Sequence, residues 1–111
     1  MRKTKLYIGD QQRNVHVLCP DGTLYHLPTH HETMQYSPDG FNWGYNGAGP
    51  SQLAVAILAD MGGSEKTVLF YHQTLRTHLL AWMPKGHVFK ISEADVINAI
   101  GIIPEMEKEK Q

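Results

Sequence analysis

PSQLAVAILADMGG (residues 50–63) contains the longest near-continuous apolar run of this 111-residue chain, from Leu53 to Ala59. A helix made of this run has no polar side to turn toward water, so it has to lie at the centre of its domain. Pro50 suits the first turn of a helix, where its missing N–H needs no partner, and the Gly62-Gly63 pair suits the end. The run therefore predicts a central helix that begins at Pro50 and ends near Gly62.

The sequence before residue 28 predicts strands, because short runs rich in β-branched and aromatic residues alternate with turn residues. The predicted strands cover Leu6–Ile8, Asn14–Leu18 and Thr23–Leu27. The last two flank Cys19-Pro20-Asp21-Gly22, where proline presets a negative φ and glycine supplies a positive one. This pattern predicts a hairpin, in which His16 and His26 are placed to face each other.

Helix signals dominate the sequence after residue 63. Ser64 suits a helix cap, and a stripe of apolar residues predicts a second helix that runs to about Trp82. The segment His87–Ile91 predicts a short strand, and Ser92 with Asp95 resembles a capping box that begins a third helix. The predicted apolar stripe of the second helix is Val68, Tyr71, Leu75, Leu79 and Trp82, and that of the third is Val96, Ile97 and Ile100.

The order of these elements predicts an α+β fold, a small antiparallel sheet with an N-terminal hairpin packed against about three helices. One domain is expected over residues 1–103, followed by a charged, frayed tail over residues 104–111. Hydrophobic residues make up 41% and charged residues 19% of the chain, which is a globular composition.

Charge and composition also limit the classes of partner. A net charge of -1 provides no overall attraction to nucleic acid or anionic lipid, so neither nucleic acid nor a membrane is an expected partner. No apolar run approaches the roughly 18 residues of a membrane-spanning helix, and no signal-peptide stretch follows the first basic residues. The single cysteine, Cys19, has no partner for an internal disulfide. We therefore expect a cytoplasmic protein.

The segment from Pro28 to Gly49 lacks any periodic pattern, and a connection of this length within a compact domain is usually functional or disordered. Its large aromatic residues argue for order. Glycines at 44, 47 and 49 lead the chain into a helix start, where free N–H groups attract phosphate or carboxylate. The predicted ligand-binding or partner-binding residues are Asn42, Trp43, Gly44, Tyr45, Asn46, Gly49, Ser51 and Gln52, with Arg13 and Arg76 closing an anionic pocket.

Two interpretations of this segment remain open. In the first, Trp43 and Tyr45 stack on a planar ring, and Asn42 and Asn46 pair with its polar edge, which suits an anionic, nucleotide-like ligand. In the second, the aromatic side chains fill the core and the glycines only permit tight turns. The glycine spacing matches neither the dinucleotide fingerprint nor the phosphate-binding P-loop.

Catalytic and metal-binding patterns are missing from the sequence. The seven histidines include no zinc-enzyme motif, and His72 and His78 lie on different faces of the predicted helix. Cys19 has no recognisable base beside it, and no pair of carboxylates is placed for acid–base work. We therefore expect no catalytic residue, no metal and no cofactor.

The stretch Phe41-Asn42-Trp43-Gly44-Tyr45-Asn46-Gly47-Ala48-Gly49-Pro50-Ser51-Gln52-Leu53-Ala54 carries a resemblance. With the aliphatic helix that follows it, this stretch resembles the signature of an uncharacterised domain family of bacteriophages and bacterial mobile elements. The likeness extends from about Leu6 to Ile103 and implies an origin of that type, but it implies no residue roles.

Three functions are compatible with these observations. The first is a non-enzymatic accessory protein of phage or mobile-element type, most simply an inhibitor of a host defence system. Such an inhibitor would either sequester a nucleotide-like signal or dock on a host protein. The second is a structural or assembly module that self-associates, as a dimer by general frequency. The third is a nucleotide-processing enzyme.

Overall fold

A computed structural model describes residues 4–107 of the chain, and it confirms the predicted α+β fold. Four strands form one sheet, and the helices pack beside it. The strands are β1 (Leu6–Gly9), β2 (Val15–Leu18), β3 (Leu24–His26) and β4 (Phe89–Ser92). The helices are α1 (Ala48–Asp60), α2 (Glu65–His78), α3 (Glu93–Ile100) and α4 (Pro104–Glu107), and a 3-10 turn (Leu80–Trp82) follows α2.

The sheet is antiparallel throughout, with the strand order β3-β2-β1-β4. The predicted hairpin is β2–β3, and His16 and His26 are paired in it with ring centroids 4.2 Å apart. The predicted strand near residue 89 is also confirmed, because β4 pairs with β1 at the sheet edge. Side chains alternate between the two faces of a strand, so Tyr7, Val17 and Ile91 are buried together against the helices.

The other side of the sheet, which we call the open sheet face, has no helix packed on it among the described elements. The register places Leu6, Leu18 and Leu24 side by side across three strands. Ile8, His16 and His26 form the next row in the same way. Leu24 is 58% exposed, so this face carries an apolar stripe that water can reach.

Helix α1 is the centre of the core, as the sequence predicts. Every residue from Gly49 to Leu58 is buried, and α2 packs along the helix. The helix begins at Ala48, two positions before the predicted start, because Gly47 in an extended conformation already serves as its N-cap. No described helix is both long enough and apolar enough to cross a membrane.

The second predicted helix is shorter than expected. Ser64 caps it by accepting a hydrogen bond from the Thr67 N–H, but α2 ends at His78. Leu79 leaves the helical conformation with φ −133°, and the 3-10 turn follows. The change of geometry buries Leu80 and leaves Trp82 81% exposed. The prediction that Trp82 belongs to the buried stripe is therefore wrong.

The C-terminal part of the described chain is built as predicted up to residue 103. The Ser92 hydroxyl accepts from the Asp95 N–H, and the Asp95 carboxylate accepts from the Ser92 N–H, which completes the capping box of α3. Val96 and Ile100 are buried. Within the predicted tail, Pro104 is buried at the start of α4, and residues 108–111 lie outside the described part of the chain.

The ordered loop before α1 places Trp43 in the core. Its side chain is 0% exposed, its Nε1–H donates to the His87 carbonyl at 3.0 Å, and its ring meets Phe89 edge-on at 4.6 Å. Gly9 makes room for this pair, because a Cβ there would lie 2.3 Å from the Phe89 ring and 2.7 Å from the Trp43 ring. The core-filling interpretation therefore applies to Trp43.

The two tryptophans of the chain make a matched pair of substitutions. We expect Trp43→Ala to lower the free energy of unfolding by about 3–5 kcal/mol, since it leaves a large cavity and an unpaired carbonyl. Trp82→Ala should cost less than about 1 kcal/mol, because the side chain is largely in water. Urea denaturation followed by circular dichroism measures both. Equal losses in the two variants would contradict this assignment of core and surface.

Candidate functional site

The start of α1, where the sequence predicts an anion pocket, is mostly filled by the protein itself. Gly49 is buried, and a Cβ there would lie 2.5 Å from the Asn42 Cβ and 3.1 Å from the Tyr45 hydroxyl. The Asn42 side-chain oxygen accepts from the Trp43 N–H. Gly49 is therefore needed for the close approach of the preceding loop, and a ligand has no open backbone to reach at this position.

The side-chain amide of Gln52 holds the long loop in place through hydrogen bonds. It is fully buried, and its Oε1 accepts hydrogen bonds from the Tyr36 N–H at 2.7 Å and the Ser37 N–H at 3.1 Å. Its Nε2 donates to the carbonyls of Thr29 at 2.7 Å and Met34 at 3.0 Å. All four hydrogen-bonding positions of the amide are used. The prediction that Gln52 contacts a ligand is therefore corrected, because its role is structural.

Arg76 reaches the start of α1, as predicted, from the last turn of α2. Its Nε donates to the Asn46 side-chain oxygen at 3.2 Å, and its Nη1 donates to the Ser51 hydroxyl at 3.0 Å. Ser51 itself is buried and donates to the Gly47 carbonyl at 2.8 Å. Arg76 thus adds a positive charge where the dipole of α1 is already positive, and no acidic residue lies in the first turn of that helix.

A second cation, Lys85, contacts the residue before Asn46, the partner of Arg76. The Lys85 Nζ stands 4.9 Å from the centre of the Tyr45 ring, and Gly44 packs directly against the Lys85 backbone. The Gly44 N–H also donates to the Leu80 carbonyl, which ties the loop to the 3-10 turn. We call the surface formed by Tyr45, Asn46, Arg76, Trp82 and Lys85 the Arg76 surface.

Trp82 is the largest exposed side chain of this surface. Its Nε1–H donates to the Thr77 carbonyl at 3.0 Å, which holds the indole in place although the side chain is 81% exposed. Phe70, 74% exposed, lies on α2 about two turns before Thr77 and packs edge-on against Tyr71. Ordered, exposed aromatic side chains beside cations are typical of a protein-binding surface.

The predicted site residues therefore divide into groups. The structure brings Arg76, Asn46, Ser51 and Tyr45 together with the start of α1. It places Trp43, Gly49 and Gln52 inside the protein, so stacking of a nucleotide-like ring on Trp43 is excluded. Arg13 lies in a different site, a cleft of about 250 Å³ between the β1–β2 turn, β3 and the long loop.

Sequence reasoning missed a polar cluster at the end of α1. The Asp60 carboxylate accepts from the Tyr25 hydroxyl at 2.6 Å, the Tyr7 hydroxyl at 2.8 Å and the Lys5 ammonium at 3.2 Å. The cluster joins the central helix to β1, through Tyr7 and the preceding Lys5, and to β3, through Tyr25. Two features of the sequence indicate such a cluster. Asp60 stands at the end of an otherwise apolar run, and Tyr7 and Tyr25 lie in predicted strands.

The cluster raises the pKa of three of its members. For the Tyr25 hydroxyl, burial and then the hydrogen bond to Asp60 raise the pKa. Burial and then the Asp60 carboxylate raise the pKa of the Tyr7 hydroxyl far above its usual 10.0. For Lys5, burial disfavours the ammonium, but the charge of Asp60 and the hydrogen bonds to Tyr25 and Asp60 outweigh it and raise the pKa. These shifts favour the phenol and the ammonium, which are the forms that donate to Asp60.

His72 is a buried histidine of α2 with one free nitrogen. Its Nδ1 lies 2.9 Å from the Leu69 carbonyl and so carries the proton, and its ring lies 5.1 Å from that of Tyr36. Burial lowers the pKa of His72, and its Nε2 has no partner among the described residues. No group of three or more His, Cys, Asp or Glu side chains within residues 4–107 is arranged to hold a metal ion.

The fold and these sites define a small α+β protein with a buried, largely apolar central helix whose N-terminal end is covered by an aromatic loop. The chain belongs to DUF6166, a family of unknown function whose model matches residues 7–101. Comparison with curated proteins and with solved structures yields no significant match.

The Asp60 cluster predicts a loss of stability in alkali. Above about pH 10 the unfolded chain releases the Tyr7 proton while the folded chain retains it. The contribution of Tyr7 to the free energy of unfolding is therefore present below that pH and is lost as the pH rises above it. For one such group, the free energy of unfolding falls by up to about 1.4 kcal/mol per pH unit. Tyr7→Phe should make the fall shallower, and the raised pKa values of Tyr25 and Lys5 should preserve part of the fall in this variant.

Urea denaturation of the protein, Tyr7→Phe and the control Tyr45→Phe between about pH 8 and pH 11 tests this expectation. Tyr45 lies outside the Asp60 cluster, so its variant should follow the parent protein. Parallel stability curves for Tyr7→Phe and the parent would show that Tyr7 does not couple folding to pH.

Proposed function

We propose that this protein acts by binding and without catalysis, as an accessory protein of bacteriophage or mobile-element type that inhibits a host defence system. In this proposal it docks on an acidic surface of a host protein through the Arg76 surface. The observation that carries the proposal is Trp82, an 81% exposed indole that donates a hydrogen bond to the carbonyl of Thr77, the residue after Arg76 in α2.

The chemistry of the Arg76 surface supports docking on a protein. Tryptophan, tyrosine and arginine are the residue types that contribute most to binding free energy at protein interfaces. Arg76, Lys85 and the start of α1 are all positive, so the complementary partner presents carboxylates. Trp82 needs little reorganisation on binding, because the Thr77 carbonyl already orients it.

Docking is favoured over sequestration of a nucleotide-like signal by the position of Trp43. Sequestration of a nucleotide needs an exposed aromatic ring on which the base can stack, and Trp43 is fully buried. Tyr45 is half-buried, and Lys85 lies over its ring. The phage-type origin rests on the resemblance of residues 41–54, and the match to an uncharacterised family is compatible with it.

A plating assay tests this proposal. Bacterial hosts that each carry one defined defence system are challenged with a phage that the system restricts, with and without this protein. We expect the protein to restore plaque formation on at least one host. Trp82→Ala and Lys85→Glu should abolish the effect, because the loss of about 2 kcal/mol at a central aromatic weakens binding about 30-fold.

Two matched variants serve as controls. Leu24→Ala removes an exposed apolar side chain and Lys90→Glu reverses an exposed charge, both on the open sheet face. Both should restore plaques as the parent protein does. Failure of the protein on every host, or full activity of Trp82→Ala, would overturn the proposal.

The open sheet face favours a second candidate, the self-associating module. Leu6, Leu18 and Leu24 are aligned across three adjacent strands, and no described helix covers them. Two copies that pair these stripes would remove apolar surface from water, and isologous pairing is the commonest form of oligomer.

Light scattering coupled to size exclusion distinguishes this candidate. If it is right, the protein has twice the mass of one chain, and Leu24→Lys restores the monomer because it places a charge in the apolar stripe. Trp82→Ala is the control and should remain a dimer. A monomeric parent protein at all concentrations would exclude self-association.

A further inference from the structure

We propose that the cleft beside Arg13 binds a small zwitterion, a molecule with a phosphate or carboxylate at one end and an ammonium group at the other. The cleft lies between the β1–β2 turn, β3 and the long loop, away from the Arg76 surface. This site is separate from the proposed docking function. The residues that carry the argument are Arg13, Thr29 and Asp39, which all line the cleft.

Opposite charges line this cleft without neutralising each other. Arg13 and Asp39 both contribute to its wall, but within the described residues no ion pair joins them, and neither side chain has another hydrogen-bond partner. The hydroxyl of Thr29 is also without a protein partner among residues 4–107. A cation and an anion that line one cleft and are not paired with each other match a ligand that carries both charges.

The β1–β2 turn is built to hold Arg13 in place. The Asp10 carboxylate accepts from the backbone N–H groups of Gln12 and Asn14, both at 2.9 Å, and the Arg13 N–H donates to the Asp10 carbonyl. Arg13 itself adopts a left-handed φ of 68°, which is unfavourable for a side chain of this type. Glycine would adopt this conformation more easily, so the backbone alone does not call for arginine.

The chemistry of the lining residues assigns the two ends of the ligand. The Arg13 guanidinium offers paired donors that suit a phosphate or a carboxylate. The Asp39 carboxylate accepts from an ammonium group, and the Thr29 hydroxyl is available to either end.

The size of the cleft limits the ligand. Its volume of about 250 Å³ is below the roughly 300–1,000 Å³ of pockets for drug-sized ligands. A whole nucleotide is too large to be enclosed here. A molecule of the size of phosphoethanolamine or an amino acid fits, which separates this ligand from the nucleotide-like signal considered for the loop.

An NMR titration of the ¹⁵N-labelled full chain tests the proposal with four probes. O-phosphoethanolamine and β-alanine carry both charges, with phosphate and carboxylate respectively, whereas inorganic phosphate and ethanolamine carry one charge each. At about 10 mM, a site with a Kd of about 1 mM is roughly nine-tenths occupied. We expect at least one zwitterion to shift the amide signals of Arg13, Asn14 and Gly40, and to bind at least tenfold more tightly than either single-charge probe.

Three variants separate binding from folding. Arg13→Gly removes the guanidinium and suits the left-handed φ, so the melting temperature should stay the same or rise while zwitterion binding weakens at least tenfold. Asp39→Asn should weaken zwitterion binding and leave the response to inorganic phosphate unchanged. Lys90→Ala, which removes a cation from the edge strand β4, should change neither.

The outcomes that overturn the proposal are distinct. No shift of the cleft amides with any probe at about 10 mM would show that the cleft is not a binding site for this class. Equal affinity for O-phosphoethanolamine and inorganic phosphate would show that Asp39 plays no part. Binding that survives in Arg13→Gly would place the ligand elsewhere. Each result is independent of plaque formation, because the Arg76 surface is intact in all three variants.

Discussion

Helix α1 imposes the main constraint on this structure, because it is apolar on every side and has to be enclosed. The buried face of the sheet covers one side of the helix, and α2 covers another. The long loop encloses the N-terminal end, where Gln52 binds it with four hydrogen bonds and Trp43 fills the space beside Phe89. At the C-terminal end, Asp60 joins the helix to the sheet through Tyr7, Tyr25 and Lys5. A helix with no solvent face thus accounts for an ordered loop of this length.

The same constraint separates the residues that maintain the fold from those that are available for binding. The polar side chains of Gln52 and Ser51 on α1 already make hydrogen bonds within the protein, so they are not available to bind a ligand. What remains accessible is at the rim of this packing, where α2 ends and the loop turns back. Arg76, Lys85 and Trp82 project there, and their ordered positions follow from contacts with Asn46, Tyr45 and Thr77. The surfaces that we propose for binding therefore lie around the enclosed helix.

Two surfaces with different chemistry result from this arrangement. The Arg76 surface is cationic and aromatic, which suits a large partner with carboxylates. The Arg13 cleft is small, carries both charges and is supported by a rigid turn, which suits a small molecule. Arg13 and Arg76 look equivalent in the sequence, as two arginines without a motif. They differ in the structure because Arg13 lies in the β1–β2 turn and Arg76 lies in the last turn of α2.

The sequence by itself determined the central helix, the β2–β3 hairpin, the capped starts of α2 and α3 and the α+β class, because these depend on local periodicity, turn residues and caps. It also indicated that Arg76 meets the start of α1. Only the tertiary structure decided which tryptophan is buried. Trp43 follows no periodic pattern, so its burial depends on Phe89 and Gly9 from distant parts of the chain. In the sequence, Trp82 continues the helical spacing of the apolar residues in α2. The helix ends at His78, however, so this spacing does not predict the direction of the Trp82 side chain. The Asp60 cluster and the Arg13 cleft were likewise beyond local reasoning, since each is assembled from segments that meet only after folding.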